Sequence, residues 1–265
     1  MFKEEIGVVA NVASNKVKLL KSDIKSYFVL SMLAGALVGF GIVLIFTIGG
    51  LLAGTASAKI MMGVSFGVAL SLVVMAGSEL FTGNNFIMVA GLFRNTVTLK
   101  DVGYLWGVCW LGNLVGSILL AVMFDLAGLN TGATGEFIAI STAGKMTLPF
   151  TDLMFRAILC NMLVCLAVWC SFKMKSESGK LIMIFWCLFT FITCGFEHSI
   201  ANMTLLTLGL FSQSLNEAIT FGGYLYNIIF VSLGNMLGAI LFIGIPYAYV
   251  GTGKFPSSLK DLKEK

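Results

Sequence analysis

The sequence predicts an all-α polytopic membrane protein: six crossings in two inverted three-helix repeats, with broken second and fifth helices. Three observations predict it. The chain is 58% hydrophobic and only 11% charged, whereas soluble domains run near 25% charged. Its apolar residues form continuous runs, not the strict alternation of a membrane β-barrel. Two of those runs are interrupted by polar segments carrying a carboxylate, at corresponding places in the two halves.

The elements follow in order. In residues 1–26, Ile6, Val9, Ala13, Val17 and Leu20 fall on one helical stripe, with Lys3, Lys16, Lys18 and Lys21 interspersed. That pattern predicts an amphipathic helix, lying on the membrane or capping the bundle. Glu4, Glu5 and Asp23, with no apolar core behind an early basic patch, argue against a cleavable signal peptide. The runs 27–52, 103–124, 153–172 and 225–250 are each long enough to cross about 30 Å of hydrocarbon. The run 60–76 meets Gly77-Ser78-Glu79 and then Thr82-Gly83-Asn84-Asn85 before 86–93 resumes. The run 181–194 meets Gly195-Phe196-Glu197-His198 and then Asn202 before 203–211 resumes. One transmembrane domain results: an N-terminal helix (1–26), a first repeat (27–127), an outer linker (128–148), a second repeat (149–250) and a tail (251–265).

Basic residues orient it. Fourteen of the seventeen Lys and Arg residues fall on the side of the two termini, including Lys254, Lys260, Lys263 and Lys265; Lys59, Lys145 and Arg156 fall on the other. The positive-inside rule therefore puts both termini in the cytoplasm, in a cytoplasmic membrane. The repeat is visible in residues: Leu111-Gly112-Asn113 is echoed by Leu233-Gly234-Asn235, and Glu79 and Asn84 by Glu197 and Asn202 at the same five-residue spacing. Three crossings per repeat is an odd number, so the second half enters from the opposite side. Such folds place a binding or permeation site near the midplane, at discontinuous helices.

A break at membrane depth must face protein or water, because lipid leaves backbone groups unsatisfied. His198, the single histidine, is either a neutral group steadying the unwound backbone or a polar group facing the pathway, able to donate or exchange a proton. Glu79 and Glu197, as repeat mates, either accept free N–H groups of the short segments or touch a permeant directly. Thr82 offers a mobile hydroxyl. Asn84, Asn85 and Asn202 are expected to be caps or turn formers, with Asn113 and Asn235 serving the breaks from the repeated segments. Lys145 and Arg156 are either snorkelling flanks or, near a mouth, groups that concentrate anions. The six cysteines lie in apolar runs without a C-x-x-C pair and read as small hydrophobes; no metal site and no cofactor are expected. A net charge of +4 needs no nucleic acid to explain it. No H-E-x-x-H, Walker-type or G-x-S-x-G motif occurs, so an enzyme is not expected.

Ser78-Glu79-Leu80-Phe81-Thr82, Cys160-Asn161-Met162-Leu163-Val164-Cys165 and the segment from Gly195 through Glu197-His198 to Asn202-Met203, continued by Gly234-Asn235-Met236-Leu237-Gly238, resemble the formate/nitrite transporter family over nearly the whole chain. The resemblance looks closest to the hydrosulfide-channel branch. It implies an aquaporin-like fold, a homo-pentamer with one pore per protomer in the lipid bilayer, and passage of small monovalent anions or weak acids: hydrosulfide first, also formate and nitrite. A proton-coupled formate or nitrite transporter is the alternative. A neutral-solute channel is the rival from another class, although the paired Asn-Pro-Ala signature is missing. By motif, the resemblance makes His198 the central histidine, supported by Glu197 and Asn161, with Thr82 on a mobile loop facing it and Lys145 in the vestibule. Phe66, Leu70, Leu80, Phe81 and Phe191 match the positions of two hydrophobic constrictions.

Overall fold

The structure, a computed structural model, describes residues 1–212 and 216–256. Lys260, Lys263 and Lys265 of the expected tail lie outside the described residues. The described residues form helices α1 Lys3–Ser22, α2 Ile24–Leu51, α3 Ala58–Ser65, α4 Gly67–Ala76, α5 Phe81–Phe93, α6 Leu99–Leu126, α7 Gly132–Met146, α8 Phe150–Lys173, α9 Glu177–Cys194, α10 Ser199–Leu210, α11 Phe221–Leu237 and α12 Ile245–Thr252. A π-helical segment, Gly238–Gly244, joins the last two. Pro246, with no N–H for the carbonyl four residues back, stands just beyond it, and the wider π pairing accommodates the missing donor.

Among the described residues, six helical spans are long and apolar enough to cross a membrane: Ile24–Leu51, Ala58–Ala76, Leu99–Leu126, Phe150–Lys173, Glu177–Cys194 and Phe221–Thr252. The second and fifth break off and resume as the shorter apolar helices Phe81–Phe93 and Ser199–Leu210. The breaks themselves are shorter than the sequence suggested. Only residues 77–80 and 195–198 are non-helical; Thr82, Gly83, Asn84, Asn85 and Asn202 already belong to the helices that follow. Each break opens on a glycine with positive φ, Gly77 at 72° and Gly195 at 77°, a conformation that costs other L-residues energy.

The repeats are built alike. In the first, α2 packs on α6 so closely that a Cβ on Gly116 would stand 1.8 Å from the Met32 carbonyl oxygen. In the second, α8 packs on α11 and the π segment, where a Cβ on Gly238 would stand 2.2 Å from the Ile158 carbonyl oxygen. The expected outer linker is mostly a helix, α7, and it precedes α8 as α1 precedes α2. Of the two placements open to α1, the structure takes the cap. All five stripe residues are buried, α1 packs on α5 and α12, and the Thr96 hydroxyl donates to the Ala10 carbonyl.

Candidate functional site

Both breaks are held by the same set of contacts. Asn113 Oδ1 accepts the Phe81 N–H at 2.9 Å, while its Nδ2 donates to the Ser31 and Glu79 carbonyls at 2.7 and 2.8 Å. Asn235 repeats this: Oδ1 accepts the Ser199 N–H at 2.9 Å, and Nδ2 donates to the Ala157 and Glu197 carbonyls at 2.7 and 2.9 Å. A single amide thus satisfies the free N–H that opens the second half-helix and ties the carbonyl of the break to that of a neighbouring helix, where water is scarce. The carboxylates are treated alike too. Glu79 accepts from Lys16 at 2.6 Å and from Asn84 at 2.9 Å; Glu197 accepts from Lys145 at 2.6 Å and from Asn202 at 2.6 Å. Buried carboxylates are costly unless paired and hydrogen-bonded, and both are paired. Lys16 was legible only as a lysine of the amphipathic helix; the repeat itself was the signal, since Lys145 called for a mate.

Two cavities open beside these triads. One, of ≈ 320 Å³, is lined by Lys16, Glu79, Asn84 and Lys180 among apolar groups. The other, of ≈ 370 Å³, is lined by Lys59, Lys145, His198 and Asn202 among apolar groups. Between them lies a neck of only ≈ 10 Å³, lined by Phe66, Leu70, Leu80, Leu188, Phe191 and His198, with three further small apolar residues. That is about the room of one water molecule. Leu70 and Leu80 also line the α1-side cavity; Phe191 and His198 also line the α7-side cavity. Phe66 meets Phe191 edge-on with ring centroids 5.4 Å apart.

His198 and Leu80 are repeat mates, and both are helix N-caps in extended conformation. Only the histidine caps with its side chain: Nδ1 accepts the Ala201 N–H at 3.1 Å. A ring nitrogen that accepts cannot carry the proton, so in the neutral ring it sits on Nε2. Nε2 stands 3.1 Å from Thr82 Oγ1. The ring stacks on Phe191, with centroids 5.9 Å apart. The His198–Thr82 contact joins the two breaks across the middle of the chain.

The other expected residues fall as follows. Asn161 lines none of the three cavities; fully buried behind Thr82, it donates to the Thr82 and Asn235 carbonyls and to Asn85 Oδ1. Glu197 stands behind Lys145 and Asn202 rather than on the wall. Phe81, the first residue of α5, lines an apolar groove with Trp106, Trp110 and Met236 rather than the neck. Asn84, Asn85 and Asn202 are not caps. Asn84 and Asn202 are partners of the carboxylates, and Asn85 supports Asn161. Arg156 is a half-exposed flank, 4.0 Å from Asp152. Sequence reasoning missed Leu188 in the neck and the thiols of Cys109 and Cys165, which donate to the Glu79 and Thr82 carbonyls; a buried cysteine gives no such signal in sequence.

The sequence profile of the formate/nitrite transporter family matches residues 4–249. The chain belongs to the formate/nitrite transporter family. One relative, the nitrite transporter NirC of Salmonella typhimurium, is 40% identical over 253 residues, covering 94% of this chain and 92% of that protein. Among solved structures, an FNT family ion channel superposes with a TM-score of 0.90 at 38% identity, covering 94% of this chain and 99% of that one. A pentameric formate channel with formate bound gives a TM-score of 0.77 at 25% identity, covering 87% and 98%. Relatives in the formate/nitrite transporter family are thus named as transporters and channels, and the six-span fold is theirs. Within that family frame, the broken helices of this chain carry one histidine and two carboxylate–asparagine pairs, each met by a lysine from α1 or α7, around an apolar neck.

Proposed function

We propose that the chain carries small monovalent anions, or their conjugate weak acids, across the cytoplasmic membrane, with nitrite and formate as the leading substrates. One observation carries the reading: along one axis, a lysine-bearing vestibule gives way to an apolar neck of ≈ 10 Å³ at His198 and then to a second lysine-bearing vestibule. The vestibule lysines offer ammonium groups to an anion, and the neck rejects a bare charge because stripping its water is costly. A weak acid avoids that cost by crossing the neck protonated; water and the proton activity on either side supply the proton.

His198 acts as a neutral hydrogen-bond donor. Its Nδ1 is committed to the cap, so a second proton there would break the Ala201 bond, and Nε2–H is left for the permeant once the Thr82 hydroxyl, on the first turn of α5 rather than a mobile loop, rotates away. Asn161 positions the Thr82 turn, and the Glu197 carboxylate steadies Lys145. Phe66, Leu70, Leu80, Leu188 and Phe191 form the neck.

The names of the relatives support nitrite and formate. Hydrosulfide rests on the overall likeness to the hydrosulfide branch alone; no side chain in the neck selects sulfur. A five-fold assembly follows the pentameric formate channel, and the lysine distribution supports cytoplasmic termini. Stopped-flow uptake into proteoliposomes tests the function with nitrite, formate, hydrosulfide, chloride and glycerol at several pH values. Nitrite and formate uptake that quickens as pH falls is the expected result. Glycerol uptake without anion flux would overturn it.

A further inference from the structure

The two vestibules match at their triads and differ in a second lysine. Lys180 lines the α1-side vestibule and Lys59 the α7-side one. Lys180 is tied: its Nζ lies 3.0 Å from Glu177 Oε1, one turn away. Lys16 and Lys145 are likewise committed, to Glu79 and Glu197. Lys59 is different. Among the described residues no hydrogen bond or ion pair reaches its ammonium group.

Two further observations argue against an ordinary surface lysine. Lys59 sits in the first turn of α3, the end of a helix where a positive charge is disfavoured. Its Nζ also reaches inward, to 3.1 Å from where a Cβ on Gly195 would stand, at the turn just before His198. The turn it overlies serves two carbonyls of that helix end itself, the Gly195 N–H donating to Ile192 and the Phe196 N–H to Phe191. With no partner on its Nζ among the described residues, the ammonium donors of Lys59 are available to a solute. With every other lining charge neutralised by a carboxylate, the α7-side vestibule keeps one net positive charge and the α1-side vestibule none.

We propose that Lys59 is the anion-capturing group of the α7-side vestibule, raising the occupancy of an anion there before it reaches the neck. This rests on the transport reading above. A single ammonium about 6 Å from an anion, in water-like surroundings, enriches it about threefold.

The test compares wild type with Lys59→Gln and Lys59→Arg, each as the full chain, in right-side-out and inverted membrane vesicles with nitrite as the probe. At low salt, Lys59→Gln is expected to raise the nitrite concentration that half-saturates uptake from the α7 side about threefold and to leave that from the α1 side unchanged. The shift should vanish near 0.5 M salt, where the Debye length is about 4 Å, and Lys59→Arg should behave as wild type. A half-saturating concentration for Lys59→Gln equal to that of wild type at low salt would overturn the proposal. So would a shift that persists at high salt or shows in both orientations, the mark of a merely structural effect. An inert wild type sinks the transport reading and this proposal with it; an active wild type with a salt-blind variant sinks the proposal alone.

Discussion

At the scale of single residues, the proposed reading gives His198 two duties, helix cap and donor to the permeant, that separate experimentally. Asparagine also caps helices well, so His198→Asn should leave α10 in place while removing Nε2–H from the neck. Losing one hydrogen bond to the permeant, about 1 kcal/mol, predicts a drop in nitrite uptake of about fivefold, read by stopped flow; unchanged flux would remove the histidine from the mechanism. The carboxylates predict a stability effect instead. Glu197→Gln leaves Lys145 without its counter-charge at a site where Glu197 is only 2% exposed. Breaking such a pair costs about 3 kcal/mol, seen as a lower melting temperature in detergent, and Lys145→Met in the same chain should recover most of it. The sequence revealed these residues because carboxylates and histidine are rare inside apolar runs. It did not reveal their geometry: Leu80 and Phe81 are adjacent apolar letters, and only the fold puts one in the neck and the other in the groove.

At the scale of elements, the two halves make a prediction about equivalence. Asn113→Ala and Asn235→Ala each remove three hydrogen bonds from a break. Each should destabilise the fold by about 3 kcal/mol at about 1 kcal/mol per bond, and by similar amounts. A second contrast tests the α2–α6 seam. Gly116→Ala puts a methyl against the Met32 carbonyl and should lower the yield of folded protein sharply, whereas a Cβ on Gly103 meets nothing within 4 Å and Gly103→Ala should be neutral, by size-exclusion profile and melting temperature. The long apolar runs made α2, α6, α8 and the last crossing legible to within a few residues. Helix α7 was read as a linker because its Gly-, Ala- and Thr-rich sequence has no long apolar run and Thr131 makes no side-chain cap. The breaks read as too long because Thr82 to Asn85 are polar, and polarity there serves the carboxylates rather than a loop.

At the scale of the molecule, orientation and symmetry can be tested together. With the exposed Cys194 changed to Ser, Lys254→Cys should react with a membrane-impermeant thiol reagent only in inverted vesicles, and Thr55→Cys only in right-side-out ones. The reverse pattern would invert the topology. The inverted repeat supplies a symmetric frame, but the chemistry placed on it is not symmetric: the mate of His198 is Leu80, so one donor serves the whole neck. The size of that neck has an energetic consequence for the cell. Protons hop through membranes along unbroken files of hydrogen-bonded water, and a space of ≈ 10 Å³ walled by phenylalanine and leucine holds about one molecule, too few to make a file. On the proposed reading, each proton would enter bound to its anion, and the membrane's electrochemical gradient would stay insulated while the site stands idle.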